Sequence, residues 1–258
     1  MATYQNRSLE RAFSILECLG ATERGLTVVE IARQTKLHRA TVHRLLMVLN
    51  QLGYVYKDRV TREYWAGFHL HSFGHRTSMI ARLTHHARPF LVTLANEVDE
   101  SVHLGALEGI QSLVCERIGT ARSVRLDRQP GEYLDAHATA VGKALLSLRP
   151  EEELRRAYRE ATMRAHTGRT ITNVEGLLRE LRQTKARGYA VNDEEYRMGV
   201  RSVAAPVLNP AGRALAAIAI TGPKARLTDT ILPKLGQRAI ETARALVGRL
   251  LEIAPNDD

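Results

Sequence analysis

The sequence predicts an α+β protein in two parts. A helical N-terminal module ends in a hairpin, and a C-terminal module carries a mainly antiparallel sheet. The first observation behind this is residues 38–52, HRATVHRLLMVLNQL, read at helical period. Val42, Leu45, Leu46, Leu49 and Leu52 share one stripe. Ala40, His43, Arg44, Met47 and Gln51 share the opposite face, with Arg39 at its edge. The second is the charge distribution. Up to Arg88 there are 13 Lys+Arg against 6 Asp+Glu, and beyond it 24 against 22. The third is the change of period after residue 100, where alternating runs joined by short turns are interleaved with helical runs.

In chain order, residues 8–19 form a helix capped by Ser8, with Leu9, Ala12, Phe13, Leu16 and Leu19 as its apolar stripe. Thr27 caps a short helix over 28–35, and Glu30 stands at the capping-box offset. Residues 34–37 turn, with Leu37 plugging the core, and the 38–52 helix follows. Gly53 stands where a positive φ is wanted. A short helix, a tight turn and a longer helix make a helix-turn-helix, whose second helix reads the major groove of DNA with its first turns. Residues 54–56 and 62–66 are aromatic and β-branched around a polar turn, so they form a hairpin, or wing. Lys57, Arg59 and Arg62 lie near its tip, placed for phosphates or the minor groove.

Residues 68–73 and 77–83 read as helical, and 87–99 as a second helical run, with a break or kink near Arg88 because Pro89 suits a first turn. The histidines at 69, 71, 75, 85 and 86 have no Cys or acid at ligand spacing, so they read as surface residues and no metal is expected. The predicted division is 1–68 for the winged module, 69–88 for a linker helix and 89–258 for the second module.

In the second module, residues 101–107 and 112–118 form a hairpin, and a further strand runs through 123–126. Helices follow at 140–148, 150–160 and 174–187, the last capped by Thr172 or Asn173 and stopped by Gly188. Residues 189–192 form a short strand. Strands 202–208 and 214–221 pair around an Asn-Pro-Ala-Gly turn, and a helix over 228–251 closes the chain.

Composition narrows the class. The chain has 258 residues, 44% hydrophobic and 25% charged, with a net charge of +9. No run of 18 apolar residues exists, and Cys18 and Cys115 make no disulfide framework, so a cytoplasmic protein is expected. An enzyme reading uses His137 with Asp135 or Glu195, and Ser202 as nucleophile. No GxSxG elbow or phosphate-binding loop accompanies them, and Gly142-Lys143 lacks the rest of a P-loop, so no catalytic residue and no cofactor are assigned.

Several motifs together resemble a known family, the IclR-type bacterial transcriptional regulators: SLERAFSILE, GLTVVEIARQTKLHRATVHRLL with LGYV, HATAVGKALLS, RGYAVNDEEYRMGVRSVAAPV and AAIAITGP. The resemblance runs from about Ser8 to Leu250. It implies a winged helix-turn-helix domain, a linker helix and a GAF-like effector domain. It also implies homodimers, often paired into homotetramers, on an inverted repeat of double-stranded DNA, and a small organic acid or aromatic as effector. Carried over by position, DNA contacts fall on Thr27, Arg39, Ala40, Thr41, His43, Arg44, Lys57, Arg59 and Arg62. Effector contacts fall on Leu126, Leu134, Ala140 and Val141, then Asn192 or Asp193, Val200, Ser202, Ala219 and Thr221. Where carboxylate-binding relatives carry two serines on the last strand, this chain has Ala219 and Thr221, which favours a larger or more apolar ligand than glyoxylate, or a shift of polar contacts to Ser202. Two other readings remain: an enzyme domain fused to a DNA-binding module, and an architectural DNA protein with no effector. Neither predicts a membrane partner.

Overall fold

The computed structural model describes residues 6–22, 24–70, 72, 79–120 and 129–253. Contacts divide the chain into two units, Met1–Met79 and Ile80–Asp258.

The first unit contains α1 (Arg7–Gly20), α2 (Val28–Thr35), α3 (Arg39–Gln51), β1 (Val55–Lys57) and β2 (Tyr64–Ala66). Asn6, not Ser8, caps α1: its Oδ1 accepts from the N–H groups of Ser8 and Leu9 at 3.2 and 3.3 Å. The buried face of α1 also differs from the expected stripe. Ile15 and Leu19 are buried, whereas Leu9 and Phe13 are 56% and 60% exposed. Leu9 and Phe13 lie at one edge of the apolar sector and Ile15 at the other, and the core takes the Ile15 edge. Thr27 and Glu30 form a reciprocal capping box at the start of α2. Lys36, at φ +56, ends the helix, and His38 caps α3 through Nδ1, which accepts from Ala40 N–H. Val42, Leu46 and Leu49 of α3 join Ile15, Leu26 and Ile31 in the core, while Leu52, beyond the helix end, is exposed. The hairpin pairs Val55 with Ala66 and Lys57 with Tyr64, and a bridge from Leu26 to Tyr64 ties it to the helices.

The second unit is a six-stranded antiparallel sheet with helices on both faces. Its strands are β3 (Ser101–Glu108), β4 (Gln111–Ile118), β5 (Tyr133–Asp135), β6 (Ala190–Asp193), β7 (Val200–Leu208) and β8 (Ala214–Pro223), in the order β5-β4-β3-β8-β7-β6. On one face, α4 (Met79–Val98) and α8 (Leu232–Ile253) bury Leu91, Leu94, Ala239 and Leu246 against Val102, Val203, Ile218 and Ile220. On the other face lie α5 (Ala140–Leu146), α6 (Glu151–Arg159) and α7 (Val174–Arg187). The α5 contact is built from small residues: Ala140 and Ala144 meet Ala204, Ala217 and Ala219. These alanines let the helix sit close to the sheet.

Of the break or kink expected near Arg88, the break is absent: α4 runs through Pro89 as one helix. Proline inside a helix costs about 3 kcal/mol. Ala87, Leu91 and Leu94 flank it and are fully or almost fully buried, and that burial outweighs the cost. Leu83 and Ala87, expected in a linker, belong to the core of the second unit. β5 is an addition to the expected strands. The strand expected over 123–126 and the histidines at 71 and 75 lie outside the described residues, as do residues 73, 77 and 78 of the two short helical runs; the described residues of those runs, 68–70, 72 and 79–83, are helical as expected.

Candidate functional site

Sheet register lines up the first set of candidates. Asn192 pairs with Ser202, and Ser202 with Thr221, across β6, β7 and β8. One step along, Ala204 pairs with Ala219, and Ala219 with His103 of β3. Period-two alternation points both rows to the α5 face. There, all of them but Ala204 wall a small cavity of about 70 Å³ beneath the start of α5. Leu134, Ala140, Val141 and Val200 complete its apolar part with Leu113 and Val114. Eight of the ten positions assigned to a ligand therefore border one space. Leu126 lies outside the described residues. Asp193 faces away from the cavity, because alternation along β6 sends it opposite to Asn192, and its carboxylate takes Arg201 and Arg169.

Thr139 caps α5, accepting from Gly142 N–H at 3.1 Å, and its hydroxyl meets Ser112 Oγ at 3.0 Å. Asn192 is buried, with Nδ2 donating to Ala138 O and Oδ1 accepting from Glu195 N–H. Lys143, 1% exposed, pairs with Glu195 and lies 3.8 Å from Glu180. Burial pushes the Glu195 carboxyl up, and the Lys143 ammonium pulls it back. This pair ties α5 to the 194–199 loop between β6 and β7. Tyr196 and Arg197 of that loop also line the cavity.

His103, Ser112, Thr139, Tyr196 and Arg197 are cavity residues beyond the expected ligand contacts. Alternation along β3 marks His103 and Gly105 as sharing a face, so that part is available in the sequence. The 194–199 loop has no period, so nothing in its pattern points inward.

The group His137, Asp135 and Ser202 is not assembled. Asp135 Oδ2 holds His166 Nε2 at 2.7 Å, and His137 Nε2 meets Arg164 O at 3.1 Å, whereas Ser202 borders the cavity. Burial lowers the His137 pKa. Among the described residues, no group of three His, Cys, Asp or Glu side chains converges to hold a metal. No helix of the described residues is long and apolar enough to cross a membrane.

The second set of candidates lies in the first unit. Arg39, Ala40, His43 and Arg44 are exposed along the first turns of α3, and Thr41 is half-buried. The Thr27 hydroxyl is engaged with Glu30 in the capping box. N–H donation from Thr27, with Arg24 beside it, holds the Glu30 carboxyl at about 2. At the wing, Asp58 Oδ1 accepts from Val60 and Thr61 N–H, which closes the turn and lowers the Asp58 pKa. Lys57 stands 5.1 Å from the centre of the Tyr64 ring, and Arg59 and Arg62 are exposed. These cations and the α3 face have the chemistry of a duplex-reading surface.

Residues 8–59 match the IclR helix-turn-helix domain, and residues 75–247 match the bacterial transcriptional regulator IclR C-terminal domain. HTH-type transcriptional regulator BhcR of Paracoccus denitrificans is 36% identical over 93% of this chain and 86% of its own. A crystal structure of a transcriptional regulator from Rhodococcus sp. RHA1 is 29% identical, with a TM-score of 0.81 over 96% of this chain and 100% of that one. The fold is shared by an IclR homologue from Microbacterium hydrocarbonoxydans crystallised with 4-hydroxybenzoate, at 24% identity and a TM-score of 0.84, covering 95% of this chain and 99% of that one. The chain belongs to the IclR family of bacterial transcriptional regulators, and is a DNA-binding regulator with an N-terminal helix-turn-helix domain and a C-terminal α+β domain.

Proposed function

We propose that the cavity under α5 holds a small organic acid or aromatic effector, and that its occupancy sets how tightly the protein holds its promoter. The observation that carries this is one chain containing both an exposed cationic helix face on a winged helix-turn-helix and an interior cavity of apolar walls and few polar groups. Arg39, Ala40, His43 and Arg44 meet base edges in the major groove. Thr41, Thr27 and the wing cations Lys57, Arg59 and Arg62 fix the register on phosphates. Leu134, Ala140, Val141, Asn192, Val200, Ser202, Ala219 and Thr221 contact the effector.

The protein acts in the cytoplasm, on the nucleoid, without cofactor or turnover. It works as a homodimer, paired into tetramers, because an inverted repeat presents two equivalent half-sites. The effector favours one arrangement of the copies by its differential affinity for the two states.

The test combines two measurements on the full chain. Selection from a random duplex library should return an inverted repeat, and a melting-temperature screen of small acids and aromatics should find ligands. A ligand at 100 times its Kd stabilises by about 2.7 kcal/mol. Random sequences from the selection, or ligands whose shift is unaffected by Ala219→Leu, would remove the proposal.

A further inference from the structure

We propose that Arg197 is the charge-selecting residue of the cavity, and that the ligand carries an acid group at the loop end with an uncharged body inside. This rests on the effector reading above and adds to it the side chain that holds the acid.

Among the described residues lining the cavity, Arg197 is the one Lys, Arg, Asp or Glu. The rest of its polar lining is Asn192, Ser202, Thr221, the Ser112–Thr139 hydroxyl pair, and the rings of His103 and Tyr196, none of them a Lys, Arg, Asp or Glu. No described hydrogen-bonding or ion-pair partner engages the Arg197 guanidinium. Its neighbours differ in this respect. Arg169 pairs with Asp193, Arg201 with Asp193 and Asp229, Lys224 with Glu194, and Lys143 with Glu195. Every acid of the β6 end and the loop is thus taken by a cation other than Arg197. One positive charge at an apolar cavity stands without a counter-ion, and a carboxylate from outside supplies it. The planar guanidinium suits a carboxylate because it donates two parallel hydrogen bonds.

The loop that presents Arg197 is held on three sides. Thr167 and Thr170 hydroxyls donate to the carbonyls of Glu194 and Glu195, the closest at 2.6 Å. The Glu194 carboxylate accepts from Gly199 N–H at 2.9 Å. The Tyr196 ring stacks on His166 at 4.3 Å, and Asp135 fixes His166 in turn. Glu194 and Gly199 both have positive φ, at 61 and 77°, and they bracket the turn. The loop backbone is therefore set before a ligand arrives, which lowers the ordering cost of binding.

The test uses the full-length protein and matched acid–amide pairs, pyruvate with pyruvamide and benzoate with benzamide. Binding is read by melting temperature and titration calorimetry. The expected result is that at least one acid binds wild type about tenfold or more tightly than its amide. Arg197→Gln should erase that preference while leaving amide binding in place, and Arg197→Lys should restore most of it. Arg197 is exposed, so these variants fold. An acid preference that survives in Arg197→Gln overturns the assignment, as do acids that bind no better than amides or not at all. Ala219→Leu separates this failure from failure of the effector reading. If it blocks an acid that Arg197→Gln still prefers, the cavity stands and Arg197 falls. If it blocks nothing, both fall.

Discussion

Arg44 stands exposed on α3, in the second turn after the His38 cap, with no described side-chain partner. An arginine there reaches guanine O6 and N7, a contact worth about 1–3 kcal/mol of discrimination. Arg44→Ala should lose the preference for a selected duplex over a scrambled one, while weak, salt-sensitive binding to both survives. Fluorescence anisotropy at two salt concentrations reads this, and equal loss on both duplexes would assign Arg44 to phosphates. Lys57→Ala should instead weaken both duplexes alike and reduce the salt slope by about 1. At this scale the sequence is informative wherever a residue's direction follows from period. Asn192, Ser202 and Thr221 share a face because they sit in one row of a sheet. The same rule excludes Asp193, which the family resemblance leaves beside Asn192. Leu9 and Phe13 depart from the expected stripe because an apolar sector wider than the core allows two burial faces, and only tertiary packing chooses.

The elements follow from local chemistry more than from position in the fold. Caps, turn glycines and hairpins are legible, because each depends on residues three or four apart. The Thr27–Glu30 box is one such case, and it makes a pH prediction. The Glu30 carboxyl lies at about 2, below its usual 4.5, so ionised Glu30 supports the folded state above the usual value. That support is lost as pH falls from about 4.5 to about 2. Circular-dichroism melts should show wild type losing stability faster than Glu30→Gln across this window, and parallel curves would mean that the box contributes nothing.

Gly142 shows where local rules mislead. Alanine there gains about 1 kcal/mol of helix propensity. A Cβ would also overlap the backbone of Ala136, which cannot swing aside as the end of a flexible side chain can. Gly142→Ala should therefore destabilise by roughly 1–3 kcal/mol, and a higher melting temperature would contradict the packing. The three-residue β5 and the 194–199 loop have no period to read. The course of α4 through Pro89 is decided by the sheet beneath it.

Across the whole molecule, the division of labour is visible in the charge distribution alone. Lys+Arg exceed Asp+Glu by 13 to 6 up to Arg88, and nearly balance beyond it at 24 to 22. The basic third carries α3 and the wing. The balanced part folds as a sheet with helices on both faces, and its small α5-facing residues leave the cavity. What the sequence leaves open is the unit boundary. The helical runs over 77–83 and 87–99 do not show which of their residues bury against the sheet, so residues expected in a linker are core instead.

The claim that joins the two units is that the cavity ligand and the duplex are coupled. Thermodynamic linkage makes that coupling reciprocal. The decisive measurement is the Kd of the full-length protein for its selected duplex, with and without saturating ligand, alongside the Kd for the ligand with and without saturating duplex. The account predicts a change of at least about fivefold in the first and the same factor in the second, both abolished by Ala219→Leu. A duplex Kd that is identical with and without a ligand bound in the cavity would contradict it.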